Sequence, residues 1–280
     1  MKHLKAIRLP ALLAFSLLLV VTSCKENEGC TDPAAANYDA DAEKDDGSCL
    51  IGNFVLDFKA LVNGVPLVMK DSVYKNVLDY YYKMETIRFY VSNLYLIKND
   101  NSEVLVNDVS YLDLENSHRS ISDDGEKIMV AAPPGDYKGI KFAIGVDPDI
   151  NNGDPSVYPN DHPLSIRQNA HWVWNSGYIF LKLEGKMDTI PDGNKSLTRS
   201  FVYHCGTNAL YRELSFTKNF SIVDGGTFEY NLALNVDKIF YSSTDTLDAR
   251  HDYQSHSEDS LFTIAERVTD FFADAITERQ

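Results

Sequence analysis

The chain has 280 residues, with 41 Asp and Glu against 26 Lys and Arg and a formal net charge of −15. This acidic balance gives a nucleic-acid role no electrostatic footing and makes cations the natural small partners. Once a leader and a polar linker are set aside, about 230 residues remain, enough for one β-sandwich with long loops or for two small domains, and the absence of an interrupting linker favours one.

Met1-Lys2-His3-Leu4-Lys5-Ala6-Ile7-Arg8 is positively charged, and the apolar run from Leu9 to Val21 is too short to span a bilayer comfortably. Residues 1–23 are therefore expected to be a secretory signal peptide. Val21-Thr22-Ser23-Cys24 resembles the lipobox of bacterial lipoproteins, which implies cleavage before Cys24, lipidation of its thiol and acylation of the new amino group. Each buried methylene adds roughly 0.8 kcal/mol, so several acyl chains anchor firmly. No later run approaches the roughly 20 apolar residues of a membrane helix. The expected location is the cell envelope, as an outer-membrane lipoprotein facing the periplasm or the surface. Lys25-Glu26-Asn27-Glu28 resembles the acidic signals that send some lipoproteins to the outer surface.

With Cys24 lipidated, Cys30, Cys49 and Cys205 remain. Export permits disulfides, and Cys30 and Cys49 bracket a short polar loop whose closure would contribute about 3 kcal/mol. The loop is similar to a small Cys-closed, Asp-rich repeat of secreted bacterial proteins. Asn37, Asp39, Asp41, Glu43 and Asp46 supply the alternating oxygen ligands that can wrap calcium. Ala42 stands where an EF-hand has glycine, however, and no glutamate occupies the twelfth position. A solvated acidic stalk stapled by the disulfide is the favoured alternative. Residues 24–50 thus form anchor, spacer and loop.

From residue 51 to 280 a single domain is expected. Strand signals cover 54–62, 87–97, 109–114, 127–132, 137–146, 178–183, 199–205, 213–222 and 227–236, with Asn63-Gly64 and Asn99-Asp100-Asn101 as polar turns. Such short strands predict an all-β fold, an antiparallel immunoglobulin-like β-sandwich with long loops. Asp147 to Asn169 is too long for an ordinary hairpin loop. Leu261, Ile264, Ala265, Val268, Phe271, Phe272, Ala275 and Ile276 share one helical face, opposite Glu266, Arg267, Asp270 and Asp274. This predicts a C-terminal amphipathic helix docked on the sandwich.

The segment from His171 to Gly185 holds both tryptophans, Trp172 and Trp174, beside His171, at the mouth of a nearly alternating strand from Tyr178 to Glu184. Such a strand end can carry a site, although tryptophans there are also good core material. No zinc-protease, nucleophile-elbow, phosphate-loop or dinucleotide motif is present in the sequence, so an enzyme is not expected. The histidines outside the leader are His118, His162, His171, His204, His251 and His256. Each alone reads as a surface or hydrogen-bonded residue. Imidazoles converging beside thiol or aromatic groups would suit copper, particularly cuprous copper. Cys205, inside a strand, reads as a small buried hydrophobe, with a ligand role as the minority reading.

Four segments together carry a resemblance: Phe89-Tyr90-Val91-Ser92-Asn93-Leu94, Gly135 to Asp147, Trp172-Val173-Trp174-Asn175-Ser176-Gly177-Tyr178 and Tyr203-His204-Cys205-Gly206. From about Gly52 to the C-terminus the chain resembles the MbnP-like family of exported copper-binding proteins linked to methanobactin systems, many relatives being lipoproteins. The resemblance implies a β-sandwich and a copper site in which histidines join a tryptophan oxidised to kynurenine by a partner di-haem enzyme of peroxidase type. It also implies a TonB-dependent transporter as a possible partner. Carried over by position, Trp172 or Trp174 is the modifiable tryptophan, His204 the strand-end histidine and His256 the histidine before the terminal helix. His171 and Cys205 are optional further copper ligands. The expected function is therefore a lipid-anchored copper binder for storage, delivery or uptake. The alternative is a non-enzymatic surface module for glycan or protein contacts, with a calcium-ordered acidic repeat.

Overall fold

A computed structural model describes residues 26–117, 125–172, 177–190, 192–257 and 260–279. The expected leader, the expected lipidation site Cys24, His118 and Trp174 lie outside the described residues. The long strands are β1 (Gly52–Val62), β2 (Tyr81–Lys98), β3 (Glu103–Asp113), β4 (Glu126–Ala132), β5 (Gly135–Ile144), β6 (Leu181–Met187), β7 (Arg199–Cys205), β8 (Arg212–Ile222) and β9 (Thr227–Asn235). After them come the short β10 (Gln254–Ser255), helix α1 (Phe262–Asp274) and β11 (Ile276–Glu278).

Two sheets pack face to face. An 8-stranded sheet runs β8-β5-β2-β6-β7-β10, with β3 and the two-residue strand Tyr74–Lys75 also paired to β2, and a 5-stranded sheet runs β11-β9-β1, with β4 and the two-residue strand Val65–Pro66 also paired to β1. The expected all-β sandwich with a C-terminal helix is the observed fold. Within it β9 lies parallel to β1, and β10 parallel to β7. Parallel neighbours cannot be joined by a hairpin and need a long crossover. The pattern of turn residues, which marks hairpins, therefore gives no sign of them. Asn63 and Gly64, both at positive φ (52° and 76°), make the predicted tight turn after β1.

The alternation in β1 drives Phe54, Leu56, Phe58 and Ala60 into the core, where Phe58 meets Phe89 of β2 and Phe142 of β5 edge-on, at 5.4 and 5.8 Å. Helix α1 contributes Ala265, Val268, Phe271 and Phe272 to the same core, with Phe272 edge-on to Phe89 at 5.1 Å. Its polar face is tied down as well, by Arg267 to Asp245 and Asp252 and by Asp270 to Arg212. Burying one face of an amphipathic helix against the sheets is what its residue pattern predicts.

The feature that positions the site is a fork in the large sheet. Along one edge of β2 the first half pairs with β6 and the second half with β5, and Tyr90 sits at the junction. Its N–H donates to Phe180 and its carbonyl accepts from Gly145, both at 3.0 Å. Gly145 has φ +122°, and a Cβ there would stand 2.6 Å from the Phe180 ring, so both backbone and space require glycine. The long connection after β5 crosses the sheet from this fork. It is held by Tyr90 Oη to Pro163, at 3.0 Å, by Tyr178 Oη to Leu164, at 2.9 Å, and by Lys182 Nζ to the Asn169 carbonyl.

Candidate functional site

Strand β7 alternates cleanly: Phe201, Tyr203 and Cys205 are buried, while Val202 and His204 are half-buried on the opposite face. His204 pairs across the ladder with Lys182 of β6, and Val202 with Glu184. Glu184 and His204 are therefore diagonal neighbours on one face, within reach of long side chains. Glu184 Oε1 lies 2.7 Å from His204 Nε2, and Glu184 Oε2 accepts from Thr86 Oγ1 at 3.2 Å. The His204 hydrogen bond is the main cause holding the Glu184 carboxyl below its ordinary range, against the opposing effect of burial. Lys182, 7 % exposed, has its ammonium pushed down by burial and by the nearby Arg88 charge.

The second imidazole arrives from the other end of the chain. Gln254 and Ser255 pair with Val202 and Tyr203, which brings His256 level with the end of β7. Ser257, at φ +59°, accepts the Gly206 N–H at 3.0 Å and donates to the His204 carbonyl at 3.5 Å. The rings of His204 and His256 stand 5.2 Å apart between centroids and at 88° to each other. The two histidines assigned by position thus meet.

Cys205 does not join them. It points to the opposite face, 0 % exposed, where complete burial pushes its thiol up to about 12 despite a hydrogen bond with Thr269. The period-two geometry of a strand forbids neighbours 204 and 205 from sharing a face. The ligand reading of Cys205 is therefore corrected to that of a buried small hydrophobe.

His171 and Trp172 lie on a short hairpin, in which His171 bridges Tyr178, the Trp172 N–H donates to Gly177 at 3.2 Å and Ile179 N–H donates to Ala170 at 2.8 Å. This is why regular pairing of β6 begins at Leu181 and not at Tyr178. Trp172 is 5 % exposed. The His171 ring stands edge-on to Tyr178 at 5.0 Å, and nearby the Ser156 hydrogen bonds hold the Asp154 carboxyl below the usual range. None of its described contacts is with His204 or His256. The hairpin nevertheless abuts the end of β7: a side chain at Gly206 would collide with the Tyr178 carbonyl. Asn151, buried, ties this corner together by accepting the Tyr178 N–H and donating to Asn208, both at 2.8 Å.

His162 stacks on Tyr158 at 4.3 Å and accepts the Leu164 N–H, and exposed His251 leans on Asp248 at 3.2 Å. Both are structural or surface histidines, as single histidines usually are.

In the N-terminal loop the Cys30–Cys49 disulfide is present. The oxygen-bearing side chains there serve the loop's own backbone. Asn37 Oδ1 accepts from Leu50 N–H and its amide donates to Ser48, Asp39 caps Asp41 N–H, and Asp46 caps Ser48 N–H. Among the described residues no group of three or more His, Cys, Asp or Glu is gathered as a metal cage. Asn37, Asp39, Asp41, Glu43 and Asp46 are not collected into such a group among the described residues, and Asn37, Asp39 and Asp46 are engaged with the loop's own backbone.

Glu184 is the residue that sequence reasoning missed. An acidic residue at an outward strand position looks like ordinary solvent-facing charge, and only the register between β6 and β7 places it against His204.

A family model described as MbnP matches residues 51–257. Comparison with curated proteins gives no match. Among solved structures the chain is similar to MbnP from Methylosinus trichosporium, with 17 % identity and a TM-score of 0.50 over 76 % of this chain and 87 % of that one.

Proposed function

The chain belongs to the MbnP family, and from that premise we propose that it is a lipid-anchored, extracytoplasmic copper-binding protein that stores the metal, delivers it or helps import it. Membership supports a metal-related role outside the cytoplasm. The observation that carries the finer reading is the meeting of His204 and His256 at 5.2 Å. Two imidazoles suit copper, zinc, iron or nickel and not calcium or magnesium, and a site with so few ligands favours cuprous copper, which accepts low coordination numbers. With Cys205 on the core face, the donors are nitrogen donors from His204 and His256. The binding is non-enzymatic in this reading. The anchor at Cys24 rests on the lipobox-like Val21-Thr22-Ser23-Cys24. The test is the metal content of the protein purified from its own host: copper near one equivalent supports the reading, and protein free of copper contradicts it.

A second reading, contact with another protein, draws on Val157 and Ile166, 71 % and 58 % exposed on two turns of the long connection. Those side chains contribute nothing to the core and are open to a partner. Intact, unmodified tryptophan in a mass spectrum of metal-free native protein would favour this reading. Oxidation of Trp172 or Trp174 to kynurenine by a di-haem partner would favour the first.

A further inference from the structure

We propose that Glu184 is a positioning residue, which holds His204 as the Nε2–H tautomer and so leaves Nδ1 as the nitrogen offered to a metal. The inference rests on the reading of His204 as a ligand. Both carboxylate oxygens of Glu184 are engaged by different strands, Oε1 by His204 of β7 at 2.7 Å and Oε2 by Thr86 of β2 at 3.2 Å. Thr86 is the direct ladder partner of Glu184. Sheet register alone therefore fixes where the carboxylate stands, with no loop involved.

A carboxylate can only accept, so the proton of the shared hydrogen bond must sit on His204 Nε2. In a neutral imidazole with Nε2–H the lone pair is on Nδ1. No hydrogen bond to that nitrogen is present among the described residues. A carboxylate behind a ligating imidazole orients the ring and raises its basicity, and removing such a partner weakens metal binding about 10- to 100-fold. A plain surface ion pair predicts something else. Glu184 and His204 have side chains 36 % and 19 % exposed, and pairs at such positions contribute little to stability.

Long-range ¹H–¹⁵N spectra of the metal-free full-length protein read the His204 tautomer, and competition with a cuprous chelator reads affinity. The expected results are Nε2–H in the unaltered protein, loss of that preference in Glu184→Ala with about 10- to 100-fold weaker copper binding, and retention of both in Glu184→Gln, whose amide oxygen still accepts. Should Glu184→Ala fail to fold, Glu184→Met fills similar volume without an acceptor. An unchanged tautomer in the acceptor-free variant overturns the inference, as does a Gln variant as weak as the Ala variant. If the unaltered protein binds no copper, the metal reading fails by itself while the tautomer spectra still decide the role of Glu184.

Discussion

The imidazoles of His204 and His256 meet edge to face, with 5.2 Å between ring centroids, and the residue that brings them there is Ser257. Its hydroxyl bridges the Gly206 N–H and the His204 carbonyl, so the turn that carries His256 is fastened to the strand that carries His204. Ser257→Ala and Ser257→Gly should both weaken copper binding several-fold. The Gly variant relieves the positive φ but loses the same hydroxyl. Each lost hydrogen bond costs about 1 kcal/mol, which urea unfolding will read. Full copper affinity in both variants would show that His256 is held by something else.

Cys205 gives the complementary case. Its thiol, pushed up to about 12 by burial, should resist a thiol reagent at pH 8 in the folded protein and react fully in guanidinium. Cys205→Ala should bind copper as the unaltered protein does while losing about 1–2 kcal/mol of stability to the small cavity. A large loss of copper affinity without unfolding would return Cys205 to the ligand set.

The sandwich was legible because its strands have one dry face. Arg199 to Cys205 reads correctly to the residue from alternation alone, and the stripe through Ala265, Val268 and Phe272 marks the helix that covers the core. The His204 and His256 pair was legible by position within a family pattern, not by spacing. What the sequence hid was register and pairing between distant strands. Glu184 reaches His204 only because Lys182 pairs with His204, and nothing local encodes that choice. The parallel pairing of β1 and β9 was hidden for the same reason. Cys205 was separable from His204 by the period of two, which shows that alternation was the stronger guide there than proximity in sequence.

Asp57, 1 % exposed in β1, is matched by Arg279 from the C-terminus, which donates to it at 2.5 Å and to Asn231 at 2.9 Å. Burial pushes the Asp57 carboxyl above its usual range, and Arg279 offsets this only in part. A raised carboxyl binds its proton more tightly folded than unfolded, so its contribution to stability is present below the unfolded pKa and is lost as pH rises through the folded one. Arg279→Ala raises it further. The variant should lose about 3 kcal/mol at pH 7, where the buried carboxylate keeps only the weaker influence of Lys127 and Lys59, and distinctly less at pH 4. Denaturant unfolding at the two pH values checks this, and an equal loss at both would contradict it.

The central claim is that the two imidazoles hold copper. Cuprous titration of the metal-free protein against the His204→Ala, His256→Ala double variant tests it most directly, with circular dichroism confirming that the variant is folded. The account predicts one tight site in the unaltered protein that the double variant lacks. A site of equal affinity in both proteins, or no tight site in either, would contradict it.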